Sequence, residues 1–397
     1  MKNVFITGMG IISSLGKNVN ENLTNLQHGN SGIRKSIFFE SKYASVFSFG
    51  EVNDSNKNLQ DQLGLSHEKG LTRTTLFAFK AFDEAAKDAN LSEEEISSFD
   101  TAFISASTVG GMCAHDQLYK DANMQSESSD FLPYYHFSAH TLQLIKKYNI
   151  KGITNTFNTA CSSSANAIMY GSRLIKSGIV KRAIVGGTDS LSKYTVNGFN
   201  ALKILSDSYC QPFDEYRKGL SLGEGAAYLV LESEEICSSK KKYAQVSGYG
   251  NSNDAFHPST LSDDAIGITN AITKALVSAK LESSKIDYIN AHGTGTENND
   301  LVELRGFSKI FKIIPPYNST KSYTGHTLGA AGAIEAVFSI LSICNKELYP
   351  SLNWNTPIAP FNTAPIKYYQ KNININHVLS NSFGFGGNCT SLIFSKI

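Results

Sequence analysis

The chain has almost no net charge: 36 Lys and Arg stand against 35 Asp and Glu in 397 residues, a formal +1. That balance excludes a global field for nucleic acid or an anionic membrane, so an acidic partner must be met by a local patch. Cysteine is sparse. The six (Cys113, Cys161, Cys210, Cys237, Cys344 and Cys389) form no CxxC pair and no dense framework, which argues against a disulfide scaffold and fits the reducing cytoplasm. No secretory leader is expected either, because the apolar run after Met1 is too short and Val4-Phe5-Ile6-Thr7-Gly8 reads as an opening strand. One stretch, Leu328 to Cys344, is apolar enough to raise a membrane reading. It falls short of about 20 residues and carries Glu335 in its middle, so it reads as a helix buried in protein, with no membrane insertion.

What is present is the composition of a globular enzyme, 41% hydrophobic and 18% charged, with length for two or three domains. Three pairs of segments recur in order. Val4 to Gly10 resembles Ala244 to Gly250; Thr101 to Ser107 resembles Asp287 to His292; the small-residue run after Cys161 resembles the one after His326. The offsets fall from 240 (247 − 7) to 186 (289 − 103) to 165 (326 − 161), so the first half carries extra length, mainly after Ser107. Two halves that alternate β-rich runs with helices predict an α/β fold of two parallel-rich sheets. The boundaries are 1–235 and 243–397, joined through the polar stretch Ser233 to Lys242 and fused into one structural unit. The runs after Cys161 and His326 become a central helix pair, which brings two reactive residues together.

Cys161, in Asn158-Thr159-Ala160-Cys161-Ser162-Ser163, stands where a hydrophobic run gives way to a helix of small residues. First-turn N–H groups and the helix dipole are expected to face its sulfur. Helix-terminus effects of about 0.3–2 kcal/mol, at about 1.36 kcal/mol per pKa unit, would bring a thiol from about 8.5 to roughly 7–8.3, primed and in need of help from a histidine. His292, in a Gly-Thr turn after a strand, can project into a cleft as base or donor, or bond its own backbone. His326 follows Lys321-Ser322-Tyr323-Thr324-Gly325 at a helix start, where a neutral imidazole donating one N–H is favoured. Phe383-Gly384-Phe385-Gly386-Gly387 permits close backbone approach and can offer an N–H to an oxyanion. A phosphate loop would need a following Lys-Ser/Thr, and Gly8-Met9-Gly10 lacks a correctly placed third glycine for a dinucleotide site. Zinc ligation by Cys161, His292 and His326 would lack the short local ligand pair that such sites usually contain.

Together and in order, these motifs resemble an elongating β-ketoacyl-acyl-carrier-protein synthase of the thiolase superfamily. Pro212-Phe213-Asp214 with Arg217, Gly219 and Gly223-Glu224-Gly225-Ala226 adds a fifth matching block. The resemblance implies a thiolase-like fold, duplicated βαβ halves in a five-layer α-β-α-β-α sandwich. It implies that Cys161 accepts an acyl group, that the N–H groups of Cys161 and Phe385 form the oxyanion hole, and that His292 and His326 hold an enolate formed by malonyl decarboxylation. Lys321 would be catalytic, with Glu335 in structural support. Phe383, Gly384, Phe385 and Gly386 would gate the site, and Val109 would gate the acyl pocket. No metal or cofactor is implied, since phosphopantetheine arrives on the acyl carrier protein. The mate would be an identical or homologous ketosynthase-like subunit, and Arg73 is a candidate for receiving the carrier. A chain-length-determining partner subunit and an acyl-CoA thiolase are the alternatives. The chain departs from the family at Asn388-Cys389, at Leu220, and in the Tyr- and His-rich segment Phe131 to Leu144.

Overall fold

The computed structural model describes residues 2–397. Ten strands follow in chain order: β1 (Val4–Ser13), β2 (Thr101–Ala106), β3 (Thr154–Phe157), β4 (Arg182–Asp189), β5 (Gly225–Ser233), β6 (Ala244–Asn253), β7 (Tyr288–Asn290), β8 (Tyr317–Asn318), β9 (His377–Phe383) and β10 (Asn388–Ser395). Their spatial order is β3-β2-β4-β5-β1-β6-β10-β9-β7-β8. Counted within its own half, each set of five reads 3-2-4-5-1 from its outer edge. The halves meet where β1 and β6 pair only through Phe5–Gln245 and Ile6–Ala244. Parallel pairing is confined to β2 with β3 and β4, and to β7 with β8 and β9. The sheets are therefore more mixed than the sequence led us to expect. β5 and β10 run against both neighbours, which lets β9 and β10 join through a tight hairpin instead of a crossover.

Helices cover both faces of the strands, so most strands are buried along their whole length. Arg73–Asp88 packs outside β1 and β5, and Ile266–Ala279 packs outside β6 and β10, backed by Glu297–Ile310. Between the half-sheets lie Ser163–Lys176 and Ala331–Asn345, each touching strands of both halves and one another. The result is the five-layer order. Three hydrophobic clusters fill the interfaces: one around the Arg73 helix, one around the Ile266 helix, and a central one built from both halves.

The repeated Gly-x-Gly motifs have a packing cause. A Cβ on Gly8 or Gly10 would stand 2.4 or 2.1 Å from the carbonyls of Ala85 and Ala81; on Gly248 or Gly250 it would meet those of Ala275 and Ala271 at 2.4 and 2.1 Å. Glycine lets each outer helix lie against the first strand of its half. The central helices approach closely by the same means, since a Cβ on Gly332 would lie 2.8 Å from the Ala165 nitrogen. Leu328–Asn345 is long and apolar enough to cross a bilayer, but 89% of it is buried between the sheets. The extra length of the first half lies mainly before Ser107 rather than after it: the β1–β2 connection, residues 14–100, is far longer than its counterpart 254–287, while the β2–β3 connection, residues 107–153 against 291–316, adds less, as the helices His115–Met124 and Ala139–Tyr148 and two short 3-10 turns.

Candidate active site

Cys161 stands two residues before the Ser163 helix, on a turn that holds Ala160 at φ +52°. Ser163 closes the turn with its own side chain: its hydroxyl accepts from the Thr159 N–H at 2.9 Å and donates to the Ala160 carbonyl. The donors facing the sulfur are the N–H of Cys161 itself and that of Phe385, rather than the first helical turn. The thiol is only 5% exposed. Burial pushes it up to about 11, against the lowering by the Lys321 charge and those two N–H groups, while Asp189 adds to the rise. This corrects the expected 7–8.3. A rise from 9 to about 11 corresponds to about 3 kcal/mol, more than a helix terminus supplies.

His292 follows β7 and His326 precedes the Ala331 helix, and the two rings lie edge to face with centroids 5.4 Å apart. The reactive atoms of Cys161, His292 and His326 all fall within 4.8 Å of one another. Each imidazole has its tautomer set from behind. The Leu328 N–H donates to His326 Nδ1 at 3.2 Å, and the Lys321 ammonium stands 3.3 Å from His292 Nδ1. With both Nδ1 atoms accepting, the proton of each neutral ring sits on Nε2. Burial holds both rings well below the ordinary histidine range, with Lys321 lowering both further. Two neutral N–H donors result. A metal would need the lone pairs that these protons occupy, so the cluster suits donors rather than ligands.

Lys321 is not the solvated lysine its type suggests. It is 1% exposed and paired with Glu335, itself 2% exposed. Burial raises the Glu335 carboxyl to about 7 against the lowering by Lys321. The turn carrying His292 is held by two carboxylates absent from the sequence reading. Glu303 accepts from the N–H groups of His292 and Gly293 at 2.9 and 2.8 Å, and Asp300 accepts from those of Phe213 and Gly295 at 2.7 and 3.1 Å. Arg217 clasps the carbonyls of Thr296 and Glu297, which explains the block around Pro212.

Phe383 ends β9 with its ring 5.6 Å from that of His292. Gly384 follows at the closest approach to the cysteine turn, where a Cβ would lie 2.5 Å from the Thr159 carbonyl. Phe385 is half-buried and stacked on Phe199 at 5.6 Å. Gly386 is exposed at φ +82°. Asn388, a departure from the family, ties this hairpin to the cysteine turn: its side-chain oxygen accepts from Ser162, Asn166 and Asn251 at 2.8, 2.9 and 3.0 Å. Cys389 joins the core.

Two cavities meet at Cys161, Phe199 and Phe385. The larger, about 1350 Å³, is lined by Val109, Met112, Phe131 and Leu328. The smaller, about 310 Å³, contains His292, His326, Thr294, Thr296 and Leu220. Phe385 stands on the boundary between them. Arg73 is corrected as a docking candidate. Its guanidinium is tucked against Glu224, with bonds to the carbonyls of Val52 and Asp54, and cannot present its charge to a partner.

Residues 1–236 match the family "Beta-ketoacyl synthase, N-terminal domain", and residues 243–355 match "Beta-ketoacyl synthase, C-terminal domain". The chain is 33% identical over 410 residues to 3-oxoacyl-[acyl-carrier-protein] synthase 2 of Staphylococcus aureus (strain COL), covering 100% of this chain and 98% of the relative. A chain of the ishigamide ketosynthase/chain length factor superposes with a TM-score of 0.92 at 28% identity, covering 100% of this chain and 99% of that one. A chain of the ketosynthase ApeO in complex with its chain length factor ApeC, from Xenorhabdus doucetiae, gives 0.87 at 31% identity, with coverage of 100% and 98%.

Proposed function

The chain belongs to the beta-ketoacyl synthase family, and on that premise we propose that it elongates acyl chains by decarboxylative Claisen condensation. Cys161 attacks an acyl-carrier thioester; its S–H proton passes to the departing phosphopantetheine sulfur, and the acyl group stays on Cys161. The N–H groups of Cys161 and Phe385 hold the oxyanion of that exchange. Malonyl-carrier protein then enters through the smaller cavity and loses CO₂. The Nε2–H groups of His292 and His326 hold the enolate oxygen, the new C–C bond forms at the acyl carbonyl, and the C–S bond to Cys161 breaks. One proton is taken up as the thiol re-forms. With a thiol pushed up to about 11, that proton returns readily.

The observation that carries this reading is the convergence of Cys161 with two imidazoles whose Nδ1 atoms are both engaged. Lys321, backed by Glu335, keeps His292 an Nε2 donor. Phe383, Gly384, Phe385 and Gly386 form the gate, and Val109 borders the acyl cavity. The chain divides at 1–235 and 243–397, each half contributing part of one site. The chemistry needs no metal or redox cofactor beyond the phosphopantetheine of the carrier protein. Partners are acyl carrier protein and a second ketosynthase-type subunit, identical or homologous, in the cytoplasm, for fatty-acid or polyketide and polyene elongation. A non-catalytic chain-length subunit would have no use for this donor set, and a thiolase would need no decarboxylation.

Incubation with an acyl-carrier thioester and malonyl-carrier protein, followed by intact mass spectrometry, tests the reading. We expect an acyl adduct on Cys161 and a product two carbons longer, both lost in Cys161→Ala. Chain cleavage dependent on coenzyme A would favour the thiolase. Neither adduct nor CO₂ would favour the partner subunit.

A further inference from the structure

We propose that Asp189 is a positioning residue that couples the wall of the larger cavity to the tautomer of His326, acting through the strained backbone of Leu328. Asp189 ends β4 and has no exposed surface. One carboxylate oxygen accepts from the Ser107 hydroxyl at 2.6 Å and the Val109 N–H at 3.3 Å; the other accepts from the Thr108 hydroxyl at 2.8 Å and the Gly329 N–H at 2.7 Å. The Thr108 N–H bridges both, at 3.1 and 2.9 Å. Thr108, Val109 and Leu328 all line the larger cavity.

The link to His326 is one peptide long. Leu328 is held at φ +54°, a left-handed conformation that a branched side chain disfavours. In that conformation its N–H points at His326 Nδ1, the bond that leaves the proton on Nε2. The bond from the next residue, Gly329, to Asp189 opposes relaxation. The approach is tight enough that a Cβ on Gly329 would lie 2.7 Å from the Asp189 oxygen. Both carboxylate oxygens face backbone N–H groups, which cannot accept, so an amide would set N–H against N–H on one side or the other. The charge also works against the nucleophile, since it raises the proton affinity of Cys161. Its presence beside the thiol therefore calls for a compensating role, and holding Leu328 supplies one. Displacing the Thr108–Val109 wall would alter the same carboxylate that fixes the donor.

This rests on the ketosynthase reading, and the test separates the two. The full-length protein is labelled with ¹⁵N-histidine, and the His326 ring tautomer is read by NMR, which needs no turnover. In Asp189→Asn we expect an Nδ1–H population at His326. CO₂ release from malonyl-carrier protein should fall at least tenfold, while acylation of Cys161 by an acetyl-carrier thioester, relieved of the opposing charge, falls by no more than threefold. Leu328→Gly tolerates the positive φ, so in the double variant Asp189→Asn/Leu328→Gly both readings should return to within threefold of Leu328→Gly alone. An unchanged His326 tautomer, an equal loss in both half-reactions, or no recovery in the double variant would each overturn the proposal. If Asp189→Asn does not fold, Asp189→Glu carries the same readings, and loss of fold in both overturns it as well. A wild-type protein that releases no CO₂ would sink the ketosynthase reading and leave the tautomer measurement to decide this one.

Discussion

Adding one methyl group at Gly384 should separate acyl transfer from decarboxylation. A Cβ there would lie 2.5 Å from the Thr159 carbonyl oxygen, 3.2 Å from the Cys161 nitrogen and 3.2 Å from the Ser162 hydroxyl. The nearest two are backbone atoms, which no rotamer change can move aside. Ordinary contact begins near 3.4 Å, so the hairpin must back away by about 0.9 Å. It moves as a unit, because Gly384 donates to the Asn388 carbonyl at 2.8 Å and accepts from the Gly387 N–H at 3.0 Å. Phe385 lies inside that unit. An N–H that started about 2.9 Å from an oxyanion would end beyond hydrogen-bond range.

Loss of one oxyanion donor costs about 10²–10³ in rate, and overpacking costs about 1–3 kcal/mol of stability. Gly384→Ala should therefore acylate Cys161 about 100-fold more slowly in quenched-flow intact-mass assays. CO₂ release from malonyl-carrier protein depends on the imidazoles and should drop less than tenfold. A folded variant that acylates within threefold of wild type would refute the placement of Phe385 in the oxyanion hole. Equal losses in both half-reactions would refute the division of labour between hairpin and histidines.

Two further outcomes concern pH. Burial and then Lys321 depress both imidazoles, so Lys321→Met should raise them and move the acid limb of condensation, which lies below the ordinary histidine range, to higher pH; a limb that stays in place would remove Lys321 from that role. Alkylation of Cys161 by iodoacetamide should climb from pH 7 to 10 without a plateau, as burial dictates. A midpoint near 8 would instead restore the helix terminus as the dominant influence.

The residues proposed to react were legible because their motifs are local: a cysteine before small residues, two histidines in glycine-rich turns, a glycine hairpin. The duplication was legible too, since Gly8 and Gly10 recur as Gly248 and Gly250 for one steric reason, the nearness of an outer helix. The failures share a cause. The proton affinity of Cys161, the buried pairing of Arg73 with Glu224, and the support from Glu303, Asp300 and Asn388 all depend on what covers a residue from a distant part of the chain. A dipole can be read from a helix start; a desolvation penalty cannot. Similarly, the antiparallel course of β5 and β10 depends on which edge a strand joins, and the hydrophobic run is alike in either direction.

The duplication also bears on why Cys161 and His326 converge although they lie far apart in the chain. Cys161 and His326 stand just ahead of the two central helices, and each has a non-glycine residue at positive φ close by, Ala160 at +52° directly before the cysteine and Leu328 at +54° two residues after the histidine. The helices can meet because Gly332 presents no side chain to Ala165, and the Ala333 N–H donates to the Ser164 hydroxyl at 2.9 Å. The close meeting of the two helix starts thus helps set the distance between sulfur and imidazole, whereas difference in sequence decides their chemistry. A bulkier residue at position 332 would act on the reaction by separating two helix starts, although it touches neither Cys161 nor His326.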